Sequence, residues 1–379
     1  MDTTTREIGE RIRSAMSAGL TQRDLADKAG MTPDALSRAL NGHRGFATVE
    51  LIGIADLLGV SLQWLATGRD DLRQTELVAR HNWDAESERR VNGGHDADTE
   101  ALAPVFEAYQ LAYPNGVPMS REIPERSAAV RDKLGPDFVR RFADRIEEEF
   151  DVDVVQLPNL TTAYSTLLAG QRGLIALVAD SYWYRNNWSL AHELGHLALG
   201  HAEGGVSEDE RQRQEEAANK FAADLLLPRS LMTSVDWATV GLPEVASFLW
   251  HHGVSTWALR TRIAYLKAEM SAELLSALTE STPKFLRAHL HEIDGDPHAM
   301  ARREQESAAR QFPLGLLDAL TERVDEGRVG PQRLAWALGV SVASVMPDEE
   351  SVAEQYFQAM SRRSPLSDQG GSLADSSAS

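Results

Sequence analysis

One short stretch of this chain carries most of its potential chemistry: SLAHELGHLALGH, residues 189–201. On a helix His192 and His196, four apart, project from one face and can share a metal ion. Glu193 sits beside the first of them, where a carboxylate can take a proton from water acidified by the metal. With 11 histidines in 379 residues, this H-E-x-x-H pattern arises by chance only about 0.03 times per chain. Leu190, Ala191, Leu194, Leu197 and Ala198 make the helix apolar, a costly setting for imidazoles without a partner.

A catalytic metal needs a third protein ligand and an open position for water. The next helical segment, SEDERQRQEEAANKFAADLLLP, has an apolar stripe at Ala218, Phe221, Ala222, Leu225 and Leu226. Three residues back along that stripe stands Glu215, whereas Glu216 falls with Lys220 on the polar side. Glu215 is therefore the expected third ligand, and Asn219, one turn on, could orient a ligand imidazole. His201, His251 and His252 are the other candidate ligands. The chain has no cysteine, so thiolate metal sites, cysteine nucleophiles and disulfides are excluded.

The elements that must position these groups can be read from pattern. Residues 136–150 have helical period, with Phe138, Phe142 and Ile146 on one side. DVDVVQL and RGLIALVAD are β-rich runs, so a small sheet should precede helices at about 188–200, 208–227 and 243–268. Pro228 ends the second of these.

Nearer the N-terminus, residues 6–67 read as five short helices. Thr21 with Asp24 forms a capping box, Thr32 before Pro33 is a cap with proline at the first helical position, and Thr48 and Ser61 suit the next two starts. Gly30, Gly42 and Gly59 mark helix ends. The net charge of −19 argues against a chain whose whole surface grips nucleic acid. Residues 1–69, however, balance eight basic against eight acidic side chains, so this module can meet DNA with its basic residues gathered on one face, as a homodimer.

RGLIALVADSYWYRNNWSLAHELGHLALGH, then EEAANKFAADLLLP, then EVASFLWHHGVSTWALRTRIAYL resemble, in order and spacing, the peptidase domain of the ImmA/IrrE family. The resemblance implies a gluzincin-like zinc metalloendopeptidase, with His192, His196 and Glu215 as ligands of one zinc ion and Glu193 as catalytic base. It also implies that 243–268 is a helix-turn-helix-like unit, and that the family's usual glutamate in F-A-A-E-L-L is Asp224 here. LTQRDLADKAGMTPDALSRALNGHRGFATVELIGIADLLGV resembles an XRE-type, lambda-repressor-like helix-turn-helix. Its third helix would enter the major groove with Thr32, Asp34, Ala35, Ser37 and Arg38, while Gln22 and Arg44 would meet the backbone.

The expected fold is mainly α, α+β overall. It has a five-helix DNA-binding domain at 1–69, a linker with some helix at 70–135, the peptidase domain at 136–268, a helical region at 269–363 and a disordered tail at 364–379. No run is long and apolar enough to span a membrane, and the start lacks a signal-peptide core, so the expected place is the cytoplasm. The expected function joins operator binding to proteolysis of a helix-turn-helix repressor, or of the chain itself, in a stress or mobile-element response. Tyr182, Tyr184 and His201 are candidates to stabilise the oxyanion. The rival reading is a non-enzymatic regulator or antitoxin whose metal domain is structural or sensory.

Overall fold

A computed structural model describes residues 3–16, 20–58, 60, 62–68, 78–79, 82–84, 89–91, 95–169, 171–201, 207–290, 296, 298–309 and 311–346. The expected tail and the end of the C-terminal helical region lie outside these residues, as do Gly59, Ser61 and residues 85–88 and 92–94 of the expected linker. The fold is mainly α with a small sheet.

Five helices open the chain: α1 (Thr3–Ala15), α2 (Gln22–Lys28), α3 (Pro33–Leu40), α4 (Thr48–Leu58) and α5 (Leu62–Thr67). The capping signals at α2 and α3 act as read, whereas Thr48 is the first residue of α4 and not its cap, the Glu50 carboxylate accepting the Ala47 N–H ahead of it. Thr21 and Asp24 form the reciprocal box at α2, and the Thr32 hydroxyl accepts the Ala35 N–H at α3. Ile12, Leu25, Leu36, Leu40, Ile54 and Leu65 form the core of this unit. Gly9 permits it, because a Cβ there would stand 2.2 Å from the Leu40 carbonyl oxygen.

The short strands β1 (Val78–Ala79), β2 (Asn82–Asp84) and β3 (Arg89–Val91) precede α6 (His95–Ala112), α7 (Ser127–Leu134) and α8 (Phe142–Phe150). Then come β4 (Asp153–Leu157), β5 (Tyr164–Leu168) and β6 (Arg172–Val178). β4 runs parallel to β6, β5 is antiparallel to it with Ser165 opposite Ile175, and the order is β1-β5-β6-β4. β5 lies between the two β-rich runs read from sequence, in a stretch not named there as a strand.

Alternation divides the sheet between two cores. Val154, Ile175 and Leu177 face one that also holds α8 and the helices of the candidate site. Val155, Leu174 and Ala176 face a second, built with α6 and two helices from the C-terminal region. Both faces are thus covered, which explains why the strands read as continuous apolar runs.

Beyond the sheet lie α9 (Trp183–Ala198), α10 (Glu208–Leu226), α11 (Arg229–Thr233), α12 (Leu242–His252), α13 (Thr256–Tyr265), α14 (Ala272–Ala277), α15 (Thr282–His289), α16 (Ala299–Ala308), α17 (Leu314–Asp325) and α18 (Gln332–Leu338). α9 starts five residues before the expected Trp188, since its start at Tyr182 carries no side-chain cap to announce it. The expected 243–268 helix is two helices, parted at Gly253, which takes the left-handed conformation, and restarted by the Ser255 cap. α17 and α18 pack on α6, so residues 95–112, within the expected linker, share a core with the C-terminal helices. No helix among the described residues is long and apolar enough to cross a membrane.

Candidate metal centre

α9 and α10 pack closely side by side because Gly195 presents no side chain: a Cβ there would meet the Phe221 ring at 3.1 Å. That approach brings Glu215 of α10 against the two imidazoles of α9. His192 Nε2 and His196 Nε2 are 3.1 Å apart, and each lies near one Glu215 oxygen, at 3.5 and 3.6 Å. Three atoms bound to one ion at about 2.0–2.1 Å with tetrahedral angles stand about 3.4 Å from one another. The three side chains therefore fit a divalent metal ion, and all are buried.

Burial would raise the Glu215 carboxyl, but hydrogen bonds and charge from His192 and His196 outweigh it and hold the group well below the usual carboxylate range. The phase read from sequence is confirmed in detail, with Glu215 buried and Glu216 exposed. Among the described residues, no other group of three His, Cys, Asp or Glu side chains is placed to share an ion.

Glu193 is fully buried. The Ser165 hydroxyl donates to its Oε2 at 2.7 Å, and its Oε1 has no partner. Ser165 was not singled out from sequence. The β-prone residues Tyr164 and Thr166 on either side of Ser165 were the available signal, since a strand there turns one side toward α9.

The remaining candidates are distributed differently. His201 Nδ1 lies 3.3 Å from His196 Nδ1, on the far side of that ring from the ligand nitrogen, so it is placed behind a ligand. This is the role expected of Asn219, which is half-buried; no hydrogen bond from it to an imidazole occurs among the described residues, and His192 Nδ1 is unpartnered. His251 bonds the Ser247 carbonyl within its own helix. His252 packs on Phe248, and burial followed by Arg131 pushes it down to about 4. Tyr184 is buried, which pushes its hydroxyl up to about 12, and Tyr182 is partly exposed at the start of α9. Asp224 pairs with Arg262 and Lys220, tying α10 to α13 away from the ligands.

In the N-terminal unit, Asp34, Ser37 and Arg38 lie exposed on one side of α3, with Arg38 free of any ion pair among the described residues. Gln22 is exposed at the start of α2. Thr32 is occupied as a cap, and Arg44 pairs with Glu50 at 2.7 Å, so neither is as free as the sequence suggested.

Residues 147–263 match the model of a peptidase family described as the IrrE N-terminal-like domain, and residues 14–65 match that described as helix-turn-helix. The chain joins an XRE-type helix-turn-helix segment to an IrrE-like segment. Neither a curated protein nor a solved structure matches it. His192, His196 and Glu215, the three side chains that could hold a metal, lie with Glu193 and Ser165 within the IrrE-like segment, and the exposed α3 side chains lie within the helix-turn-helix one, which supports DNA binding.

Proposed function

We propose that this chain is a DNA-binding regulator with zinc metallopeptidase activity, which cleaves a helix-turn-helix repressor or itself to switch transcription in a stress or mobile-element response. The carrying observation is the His192, His196 and Glu215 triangle, spaced like the edge of a tetrahedral site, with the buried carboxylate of Glu193 on the same helix. Two imidazoles and a carboxylate suit zinc. One zinc per chain would supply Lewis acidity toward a peptide carbonyl and toward water.

This chain's own groups then have defined tasks. His192, His196 and Glu215 hold the ion. Glu193 takes the proton of the attacking water at Oε1, while Ser165 fixes Oε2. The same carboxyl returns a proton to the departing amine, so the peptide C–N bond breaks and a new C–O bond forms in its place. α3 would read DNA through Asp34, Ser37 and Arg38, with Gln22 near the backbone. A cytoplasmic location accords with that role.

Glu193→Gln is the decisive variant. An amide has nearly the same size and cannot take the proton, so cleavage should fall about 10² to 10⁴-fold while metal content and DNA binding persist. Protein aged with zinc alone, then with candidate repressors, and sized by mass spectrometry, separates self-cleavage from cleavage in trans. Equal rates for wild type and Glu193→Gln would refute the mechanism.

A further inference from the structure

A cavity of about 270 Å³ opens between the segment 139–144 at the start of α8, the first half of α9 and α16. None of His192, Glu193, His196 or Glu215 lines it. Trp183, Asn187 and Leu190 do, and their spacing of four and three residues makes them one stripe of α9, whereas His192 and His196 stand on another.

Two guanidinium groups meet here without an acidic partner. Arg303, on α16, is only 7 % exposed. It lies 4.9 Å from the Trp183 ring and 4.7 Å from the Trp250 ring, and its Nη1 donates to the Trp250 carbonyl at 2.7 Å, but its Nη2 is buried with no acceptor. Arg140 lies 4.9 Å from the same Trp250 ring and makes no ion pair among the described residues. Burial, and then the Arg140 charge, push the Arg303 guanidinium down to about 9. The nearby acids do not answer them. Asp144 is held by Arg141 at 2.9 Å, and Glu306, exposed one turn along α16, acts on Arg303 less than Arg140 does and forms no ion pair with it among the described residues. Two further buried atoms of the lining residues lack partners: Trp183 Nε1, a donor, and Gln156 Oε1, an acceptor. An unpaired buried donor is costly, most of all a charged one, so such a group marks a place where a ligand or ion completes the bonding.

We infer that this cavity binds a small molecule through an oxyanion, a phosphate or carboxylate group, held between Arg303 and Arg140, with Trp183 Nε1 as a further donor and Gln156 Oε1 accepting from a hydroxyl or amine of the same molecule. A guanidinium fork matches either oxyanion, and the charge makes these bonds stronger than neutral ones. The size of the cavity, at the lower edge for ligand sites, suits a small metabolite rather than a peptide segment. The site stands on its own residues and does not depend on the peptidase reading.

The test titrates the full chain calorimetrically, in low-chloride buffer, with inorganic phosphate, with malonate and with neutral glycerol, for wild type, Arg140→Ala and Arg303→Gln. Each titration is run on zinc-loaded and on chelator-treated protein, because an anion can also meet a metal ion. The expected result is one saturable site per chain for at least one of the two anions, the same with and without zinc, and no binding of glycerol. Which anion binds tells phosphate from carboxylate. Arg140→Ala should weaken that binding about tenfold or more. Arg303→Gln should do the same and lose the rise in melting temperature that the anion gives wild type. Arg140 is exposed, so its loss should leave the fold intact, which the melting temperature of the free protein checks, and this variant decides the matter if Arg303→Gln does not fold. Undiminished affinity in Arg140→Ala, binding that needs zinc, or no binding of either anion would each overturn the site.

Discussion

The Ser165 hydroxyl donates to Glu193 Oε2 at 2.7 Å across the gap between β5 and α9, inside a buried environment. It leaves Oε1 as the carboxylate oxygen without a partner. A hydrogen bond to a charged group contributes about 1.5–3 kcal/mol, and most of that would be lost in orientation if it were removed. Ser165→Ala should therefore lower kcat by about 10-fold or more, with KM and zinc content unchanged. The double variant with Glu193→Gln should be no slower than Glu193→Gln alone, because Ser165 acts through Glu193. Additive losses in that cycle would assign Ser165 a separate role.

Metal removal should destabilise the α9–α10 pair, since the ion binds only the folded arrangement. At free zinc 1,000 times Kd the stabilisation is about 4 kcal/mol. A chelator should accordingly lower the melting temperature of wild type by several degrees and leave His196→Ala and Glu215→Ala unmoved. Full zinc occupancy in both variants would place the site elsewhere.

The site was more legible in the sequence than the sheet that supports it, and particular residues show why. His192, His196 and Glu215 follow from helical phase, because a polar residue on an apolar stripe is conspicuous at 3.6-residue spacing. Ser165 is one small hydroxyl in a five-residue strand, YSTLL, which is covered on both faces and so lacks a clean polar alternation. His201 behind His196, in the place expected of Asn219, depends on how the chain turns after α9, and Gly200, in the left-handed conformation, sets that turn. The division of 243–268 at Gly253 was carried by the family resemblance more than by period, since His251 and His252 continue the helical pattern up to the break.

DNA recognition should depend on Arg38 more than on Arg44. Arg38 is exposed and unpaired among the described residues, whereas Arg44 is committed to Glu50, which also accepts the Ala47 N–H ahead of α4. Arg38→Ala should weaken operator binding by about 1–3 kcal/mol and relax sequence preference. Arg44→Ala should mainly lower the melting temperature. Titrations at two salt concentrations, set beside thermal melts of both variants, check this; a larger affinity loss for Arg44→Ala would reverse the assignment.

Stability should fall with rising pH through one identifiable group. Burial pushes the Glu147 carboxyl up to about 8, against the Val154 N–H that donates to it, from an ordinary value of 4.5. The unfolded chain releases that proton near 4.5 and the folded chain holds it to about 8. The folded state thus loses relative stability between these values, and the loss is complete above the upper one. Glu147→Gln should raise the melting temperature at pH 8.5, by about the same protein's shortfall there, and change it little at pH 4.5. Equal shifts at both pH values would show that this carboxyl does not titrate as described.

Gly195 offers the sharpest link between sequence and metal binding, because it supplies no ligand atom and still sets the distance between the two helices. A Cβ at this position would stand 3.1–3.2 Å from three atoms of Phe221, closer than ordinary van der Waals contact. Alanine asks Phe221 to give by a few tenths of an ångström; valine adds two further methyls and must push α10 outward. Glu215 rides on α10 six residues before Phe221, so the push opens the 3.5 and 3.6 Å separations to the imidazoles. A tetrahedral site tolerates deviations of only about 0.2 Å in its bond lengths. Gly195→Val should therefore weaken zinc binding by at least tenfold with all three ligands intact, and Gly195→Ala should do so less. Phe221→Ala combined with Gly195→Val should recover part of the affinity, because the removed ring makes room for the new methyls. Zinc titrations of the four proteins decide it: undiminished affinity in Gly195→Val would mean that Glu215 is positioned by something other than the contact between these two helices.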